Sequence, residues 1–71
     1  MSETRREKFN RLATYRTNAV LDKIRILGNL SNRSNYDYDE SDVKKIFGAI
    51  EEQIRLLKAR FMSKKRREFK L

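Results

Sequence analysis

An apolar seam runs through the second half of the chain, between Tyr38 and Phe61. Its members recur at steps of four, three, four, three and four residues, the spacing that places side chains on one face of an α-helix. This pattern predicts a helix over residues 39–64. The seam consists of Val43, Phe47, Ile50, Ile54, Leu57 and Phe61.

The first half of the chain carries two apolar stripes. The pattern predicts a helix over residues 5–27, with the two stripes roughly 100° apart around its axis. A helix with two such stripes usually contacts more than one neighbour. The first stripe is Phe9, Ala13, Val20, Ile24 and Leu27, and the second is Leu12, Tyr15, Ala19 and Ile26.

Local signals set the ends of the first helix. Thr4 and Glu7 have the spacing of a capping box, in which each side chain accepts a hydrogen bond from the backbone of the other. Gly28 suits the left-handed residue that often closes a helix. Helix 1 is therefore predicted to begin after Thr4 and to end at Leu27, with Gly28 as the residue that closes it.

The second helix has a well-marked start. Asp39 as N-cap places Asp42 at the third helical position, and Tyr38 with Val43 has the spacing of a hydrophobic staple. Gly48 lies in the helix interior, away from the seam, and costs roughly 1 kcal/mol relative to alanine. Either this cost is tolerated, or another segment approaches the backbone closely at Gly48.

Residues 28–38 connect the two helices and are longer than the usual link between antiparallel helices. Their Asn and Ser side chains can satisfy the local backbone through Asx-turns and ST-turns. Leu30, Tyr36 and Tyr38 are expected to close the open end of the helix pair. Alternatively, the loop is a recognition element in which Arg33 and the two tyrosines contact a partner.

The two helices have matching periodicities, which predicts an all-α fold in which one chain forms an antiparallel helical hairpin with basic, partly frayed ends. If the hairpin closes on the seam, the residue numbers of each facing pair add up to 70, and small Ala13 faces large Leu57. The other facing pairs are Leu27 with Val43, Ile24 with Ile46, Val20 with Ile50, and Phe9 with Phe61.

Two helices cannot enclose a core, because each leaves one side of the seam wet. A chain of 71 residues is also short enough to be only marginally stable alone. We therefore expect the hairpin to form a homodimeric four-helix bundle, and the main alternative is a monomer that docks on another protein. The expected partner or dimer interface is Leu12, Tyr15, Ala19, Ile26, Ala49 and Leu56.

Composition excludes most catalytic and metal chemistry. The chain has no cysteine and no histidine, so disulfides, zinc fingers and triads that use these residues are excluded. The run Asp37-x-Asp39-x-Ser41 resembles the start of a calcium loop, but Gly48 stands where the bidentate glutamate would be required. We expect a non-enzymatic protein without a metal or a cofactor.

No apolar run exceeds five residues, which argues against a membrane span or signal peptide and favours a soluble, cytoplasmic protein. Three acids within the helices have a base four residues further on, as in ordinary pairing on a helix surface. The expected pairs are Glu7 with Arg11, Glu40 with Lys44, and Glu51 with Arg55.

The net charge of +8 is unevenly distributed along the chain. Residues 1–16 carry five bases and two acids, residues 17–54 five bases and seven acids, and residues 55–71 eight bases and one acid. An antiparallel hairpin would bring the two basic ends together. The first turn of helix 1 also carries three bases, Arg5, Arg6 and Lys8, at the positive end of the helix dipole. They lower the stability of the helix there, and this loss has to be explained.

An anionic partner explains this cost best, and phosphate is the commonest candidate. We expect a nucleic acid, DNA or RNA, bound through its backbone with little sequence specificity, and Phe69, Tyr15 or Phe9 could stack on the bases of a single strand. The expected nucleic-acid-binding residues are Arg5, Arg6, Lys8, Arg11, Arg16, Lys58, Arg60, Lys64, Lys65, Arg66, Arg67 and Lys70.

A protein-binding adaptor is the alternative function. In that interpretation the second stripe and the 28–38 loop dock on a larger protein, and an acidic surface would suit the basic ends. An anionic membrane surface is less favoured, because the basic residues do not lie opposite a continuous apolar face, as they do in membrane-bound amphipathic helices.

Overall fold

A computed structural model describes residues 2–65 of the protein, with side chains described as far as Met62. These residues form helix α1 (Arg5–Gly28), one turn of 3₁₀ helix (Asn29–Ser31) and helix α2 (Glu40–Lys65), and they include no β-strand. The chain divides into two units at the boundary between Asp37 and Tyr38, and each unit has one α-helix. The prediction of two helices over 5–27 and 39–64 is confirmed to within a residue at each end.

The capping box at the start of α1 forms as the sequence predicts. Thr4 Oγ1 accepts a hydrogen bond from the Glu7 N–H at 3.0 Å, and Glu7 Oε1 accepts one from the Thr4 N–H at 2.9 Å. The Thr4 carbonyl accepts from the Lys8 N–H and opens the helical ladder. The first turn of α1 therefore starts at a fixed residue, which sets the positions of the bases that follow.

The end of α1 differs from its prediction. Gly28 has φ −62° and ψ −22°, so it is right-handed and belongs to the helix. Asn29 is right-handed too, and its N–H donates to the carbonyls of Ile26 and Leu27. The prediction of a left-handed closing residue was wrong, because the chain tightens into the 3₁₀ turn and satisfies the last carbonyls without reversing direction.

The connection satisfies much of its backbone locally, through Asn32. The Asn32 side-chain oxygen accepts from the Ser34 N–H at 2.9 Å, which is an Asx-turn. Its carbonyl accepts from the N–H groups of Asn35 and Tyr36, at 3.1 and 3.0 Å. The predicted use of Asx-turns is confirmed at this residue. Leu30 and Tyr36 remain exposed.

The predicted cap of α2 is also present. Asp39 Oδ1 accepts from the Asp42 N–H at 2.9 Å, and Asp42 Oδ2 accepts from the Asp39 N–H at 3.1 Å. This is a capping box built from two aspartates. Tyr38 and Val43 are both half-buried, as the proposed staple requires. Both helices therefore begin at side-chain caps that can be identified from the sequence.

Both helices present their apolar faces to solvent. No described residue is buried. On the seam of α2, Phe47 is 56% exposed, Leu57 51% and Phe61 59%. In proteins most of the stability of a helix comes from packing of its apolar face, so we expect these faces to be covered in the assembled protein.

The interior glycine of α2 has open space around it. An added Cβ at Gly48 would meet no atom within 4 Å other than its own helix backbone and its chain neighbours. We expect Gly48→Ala to raise the free energy of unfolding by about 0.5–1 kcal/mol, because alanine loses less backbone entropy on helix formation. Urea denaturation followed by circular dichroism measures this change.

Ala59→Gly is the matched control for this substitution. It introduces a glycine at an exposed position on the same side of α2 as Gly48, away from the seam, and should lower the free energy of unfolding by a similar amount. A loss of stability in Gly48→Ala would instead mean that a partner helix packs closely against Gly48 in the assembled protein.

Candidate functional site

The first turn of α1 presents a cluster of bases. Arg5, Arg6 and Lys8 occupy the first, second and fourth helical positions, and all three are exposed. Because the helix N-terminus carries a partial positive charge, these bases lie where a cation is least favourable. Glu7 is the acidic residue of this turn, and its side chain is used in the cap. The predicted opposition between charge and dipole is therefore present in the folded helix.

Arg6 lies against an aromatic ring. Its guanidinium carbon is 5.8 Å from the centroid of the Phe9 ring, within the range of a cation–π contact. Phe9 is about half exposed. The ring covers part of the side chain while the charge stays in solvent, so Arg6 can still reach an anion.

Arg11 is held by an acid that the sequence did not indicate. Its Nε and one terminal nitrogen donate to the two carboxylate oxygens of Glu3, at 2.7 and 2.9 Å. The prediction of a Glu7–Arg11 pair was wrong, because Glu7 is engaged with Thr4. Glu3 lies eight residues before Arg11 and outside the helix, so the helical i+3 and i+4 rule could not reveal it.

This ion pair shifts the protonation of both partners. The hydrogen bonds from Arg11 lower the pKa of the Glu3 carboxyl below its ordinary value, and those to Glu3 raise the pKa of Arg11. Because the carboxyl pKa is lowered in the folded chain, the pair stabilises the fold at pH values above the ordinary pKa of glutamate. That contribution is lost as the pH falls through the lowered pKa.

The other predicted basic residues occupy both helices. Arg16 is exposed on α1, and Lys58 and Arg60 are exposed on α2. Lys64 and Lys65 are the last residues of α2. Four residues predicted to bind or stack lie outside the described residues: Arg66, Arg67, Phe69 and Lys70.

Two further surface pairs differ from their predictions. Arg55 pairs with Glu52, not with Glu51, and makes two hydrogen bonds of 3.0 and 2.7 Å. These bonds lower the pKa of Glu52 and raise that of Arg55. Glu40 and Lys44 form no ion pair in the part of the chain that the structure describes. Pairs three residues apart compete closely with pairs four apart, so the spacing alone does not choose between them.

The predicted interface residues are accessible on each helix. Tyr15 is 73% exposed, Ile26 49% and Leu56 41%, while Leu12 is half-buried. Ala19 and Ala49 are exposed as well. All six side chains could therefore contribute apolar surface to an interface.

The acidic residues at the start of α2 have a structural role. Asp39 and Asp42 form the cap, and within residues 2–65 no group of three or more acidic side chains could hold a metal ion. Neither described helix combines the length and apolarity needed to cross a lipid bilayer.

Comparison with known proteins adds no relative. No family model matches the chain, and no curated protein or solved structure was found to be similar to it.

Proposed function

We propose that the protein is a small, non-enzymatic nucleic-acid-binding protein that contacts the phosphate backbone with little sequence specificity. The observation that carries this proposal is the exposed group Arg5, Arg6 and Lys8 in the first turn of α1. These bases oppose the helix dipole, and phosphates would offset that cost by neutralising them.

The proposal includes the fold in which these bases would act. Helices α1 and α2 pack as an antiparallel hairpin closed on the seam, which brings the C-terminal bases of α2 next to the first turn of α1. Segments 1–16 and 55–71 then form one basic end with a combined charge of +10. Lys58, Arg60, Lys64 and Lys65 would join Arg5, Arg6, Lys8, Arg11 and Arg16 there, with Arg66, Arg67 and Lys70 beyond them.

Helix geometry supports a homodimer of such hairpins. The second stripe of α1 lies roughly 100° around its helix from the face that meets α2, and Ala49 is offset from the seam of α2 in the same sense by a similar angle. Because the two helices run in opposite directions, these offsets bring both sets to the same side of the hairpin. Leu12, Ala19, Ile26, Ala49 and Leu56 then form one apolar face that a second hairpin could cover as a four-helix bundle.

The test is a binding assay with DNA and RNA oligonucleotides over a range of salt concentrations, together with a mass determination in solution. We expect the logarithm of the association constant to fall linearly with the logarithm of salt concentration, with several ions released. An affinity that is indifferent to salt, or no binding at low salt, would contradict the proposal.

A protein-binding adaptor is the second candidate, and the exposure of Tyr15 and Ile26 favours it. Its docking surface would be the second stripe with the 28–38 loop, on a larger protein with an acidic surface. The same assay separates the two functions. An adaptor would be monomeric without its partner and would bind nucleic acid no better than other proteins of equal charge.

A further inference from the structure

Two bases and an exposed aromatic ring share one face of α1. Lys8, Arg11 and Tyr15 follow at steps of three and four residues, so each lies one turn from the next. Tyr15 is 73% exposed, and the Arg11 side chain is 59% exposed. The three side chains belong to one helix, so their grouping does not depend on how α1 packs.

Arg11 already binds an anion in the free protein. The Glu3 carboxylate accepts two parallel hydrogen bonds from the guanidinium, at 2.7 and 2.9 Å. Two oxygens of a phosphate present the same geometry to arginine. Glu3 lies outside the helix and this pair is exposed to solvent, so a phosphate can replace the carboxylate without unfolding α1.

We propose that Lys8, Arg11 and Tyr15 form a nucleotide site for single-stranded nucleic acid. A phosphate displaces Glu3 from Arg11, Lys8 adds a second positive charge, and the neighbouring base stacks on the Tyr15 ring. The inference rests on the proposed function and narrows its substrate from any nucleic acid to a strand with unpaired bases.

An unpaired base is required because stacking needs an open base face. In a duplex both faces of each base are covered by its neighbours, whereas an extended single strand offers them to aromatic side chains. Tyr15 lies at the edge of the second stripe, so Leu12 and Ala19 can pack in a bundle while its ring stays accessible. Because any anion must displace Glu3 from Arg11, weakly bound anions compete poorly for this site, whereas a nucleic-acid strand with several phosphates can replace the carboxylate.

The displacement of Glu3 is tested with Glu3→Gln. Fluorescein-labelled oligo(dT) and oligo(rU) are the probes, and a DNA duplex of the same length is the comparison. Releasing Arg11 should raise the affinity by about two- to fivefold, the range of an exposed ion pair. Glu51→Gln changes the net charge equally, but no ion pair of Glu51 is present in the described residues. Equal gains in the two variants would overturn the displacement.

The stacking is tested with Tyr15→Leu and Tyr15→Phe. We expect the leucine variant to bind single strands about tenfold more weakly and the duplex unchanged, while phenylalanine keeps the ring and the affinity. An equal loss for single strand and duplex, or a loss that accompanies dissociation of the dimer, would overturn the site. If the unchanged protein binds neither probe at low salt, the proposed function itself fails. If the unchanged protein binds both probes and Tyr15→Leu binds them equally well, only this inference fails.

Discussion

Replacing Arg5, Arg6, Lys64 and Lys65 by glutamine should lower the affinity for a nucleic-acid strand at low salt by on the order of 100-fold. The slope of log affinity against log salt should also become shallower by about three to four, since each phosphate contact contributes slightly less than one released ion. Fluorescence anisotropy at several salt concentrations measures both quantities.

The Arg5 and Arg6 substitutions by themselves should not weaken the fold, whereas Lys64 and Lys65 end α2, where positive charge is favourable and its removal should slightly lower stability. Arg5 and Arg6 lie in the first turn of α1, where positive charge is unfavourable, so their removal should slightly increase the helical signal. In a variant that changes Arg5 and Arg6 alone, binding and stability are therefore expected to change in opposite directions. A loss of helix that parallels the loss of binding would show that the bases support the structure, and it would remove the main reason for an anionic partner.

A second variant controls for net charge. Changing Lys23, Arg33, Lys44 and Lys45 to glutamine removes four positive charges from the middle of the chain and leaves the two basic ends intact. This variant should keep most of the affinity and the steep salt dependence. If it loses as much as the variant of the two ends, nucleic acid responds to overall charge, and the proposed basic end has no special role.

The helix starts could be predicted from the sequence because each depends on residues three positions apart. Thr4 with Glu7, and Asp39 with Asp42, form their reciprocal hydrogen bonds within one turn, where the backbone fixes the geometry. Helix periodicity spans many residues and is equally robust. Caps and apolar spacing together set the two helices to within a residue.

The end of α1 and the ion pairs could not be predicted in the same way. Gly28 permits a left-handed conformation without requiring it, and a 3₁₀ turn satisfies the same carbonyls. Arg11 can reach several acids, and the one it binds depends on the prior engagement of Glu7 in the cap. Such competition between nearly equal partners is decided by differences of a few tenths of a kcal/mol.

The candidate site was predictable only in part. Sequence places the bases in the first turn of α1, and the structure confirms that position because the cap fixes the register. The sequence did not reveal Glu3 as a partner of Arg11. Glu3 lies before α1, outside the periodic segment, and its contact with Arg11 depends on the course of the backbone before the helix. The proposed convergence of the two basic ends depends on packing of the apolar faces, which a local pattern does not determine.

Replacing Ile54 by aspartate at the centre of the seam should abolish association and most of the helical structure. Ile54 is about half exposed on α2 alone, and the proposed hairpin would bury it between the two helices. Losing a buried isoleucine and placing a carboxylate there costs roughly 3–5 kcal/mol. This is comparable to the whole stability of a domain this small, so the variant should unfold.

Ala59→Asp is the matched control, because it introduces the same charge on the opposite side of α2 at an exposed position. It should keep the helical signal, the mass in solution and a cooperative unfolding transition. If Ile54→Asp behaves like this control, the seam is not buried by the second helix or by a second copy. The basic ends would then have no reason to converge, and any affinity for nucleic acid would have to come from each helix separately. A selective loss in Ile54→Asp, with nucleic-acid affinity falling alongside association, would instead tie the binding of phosphate to closure of the apolar faces.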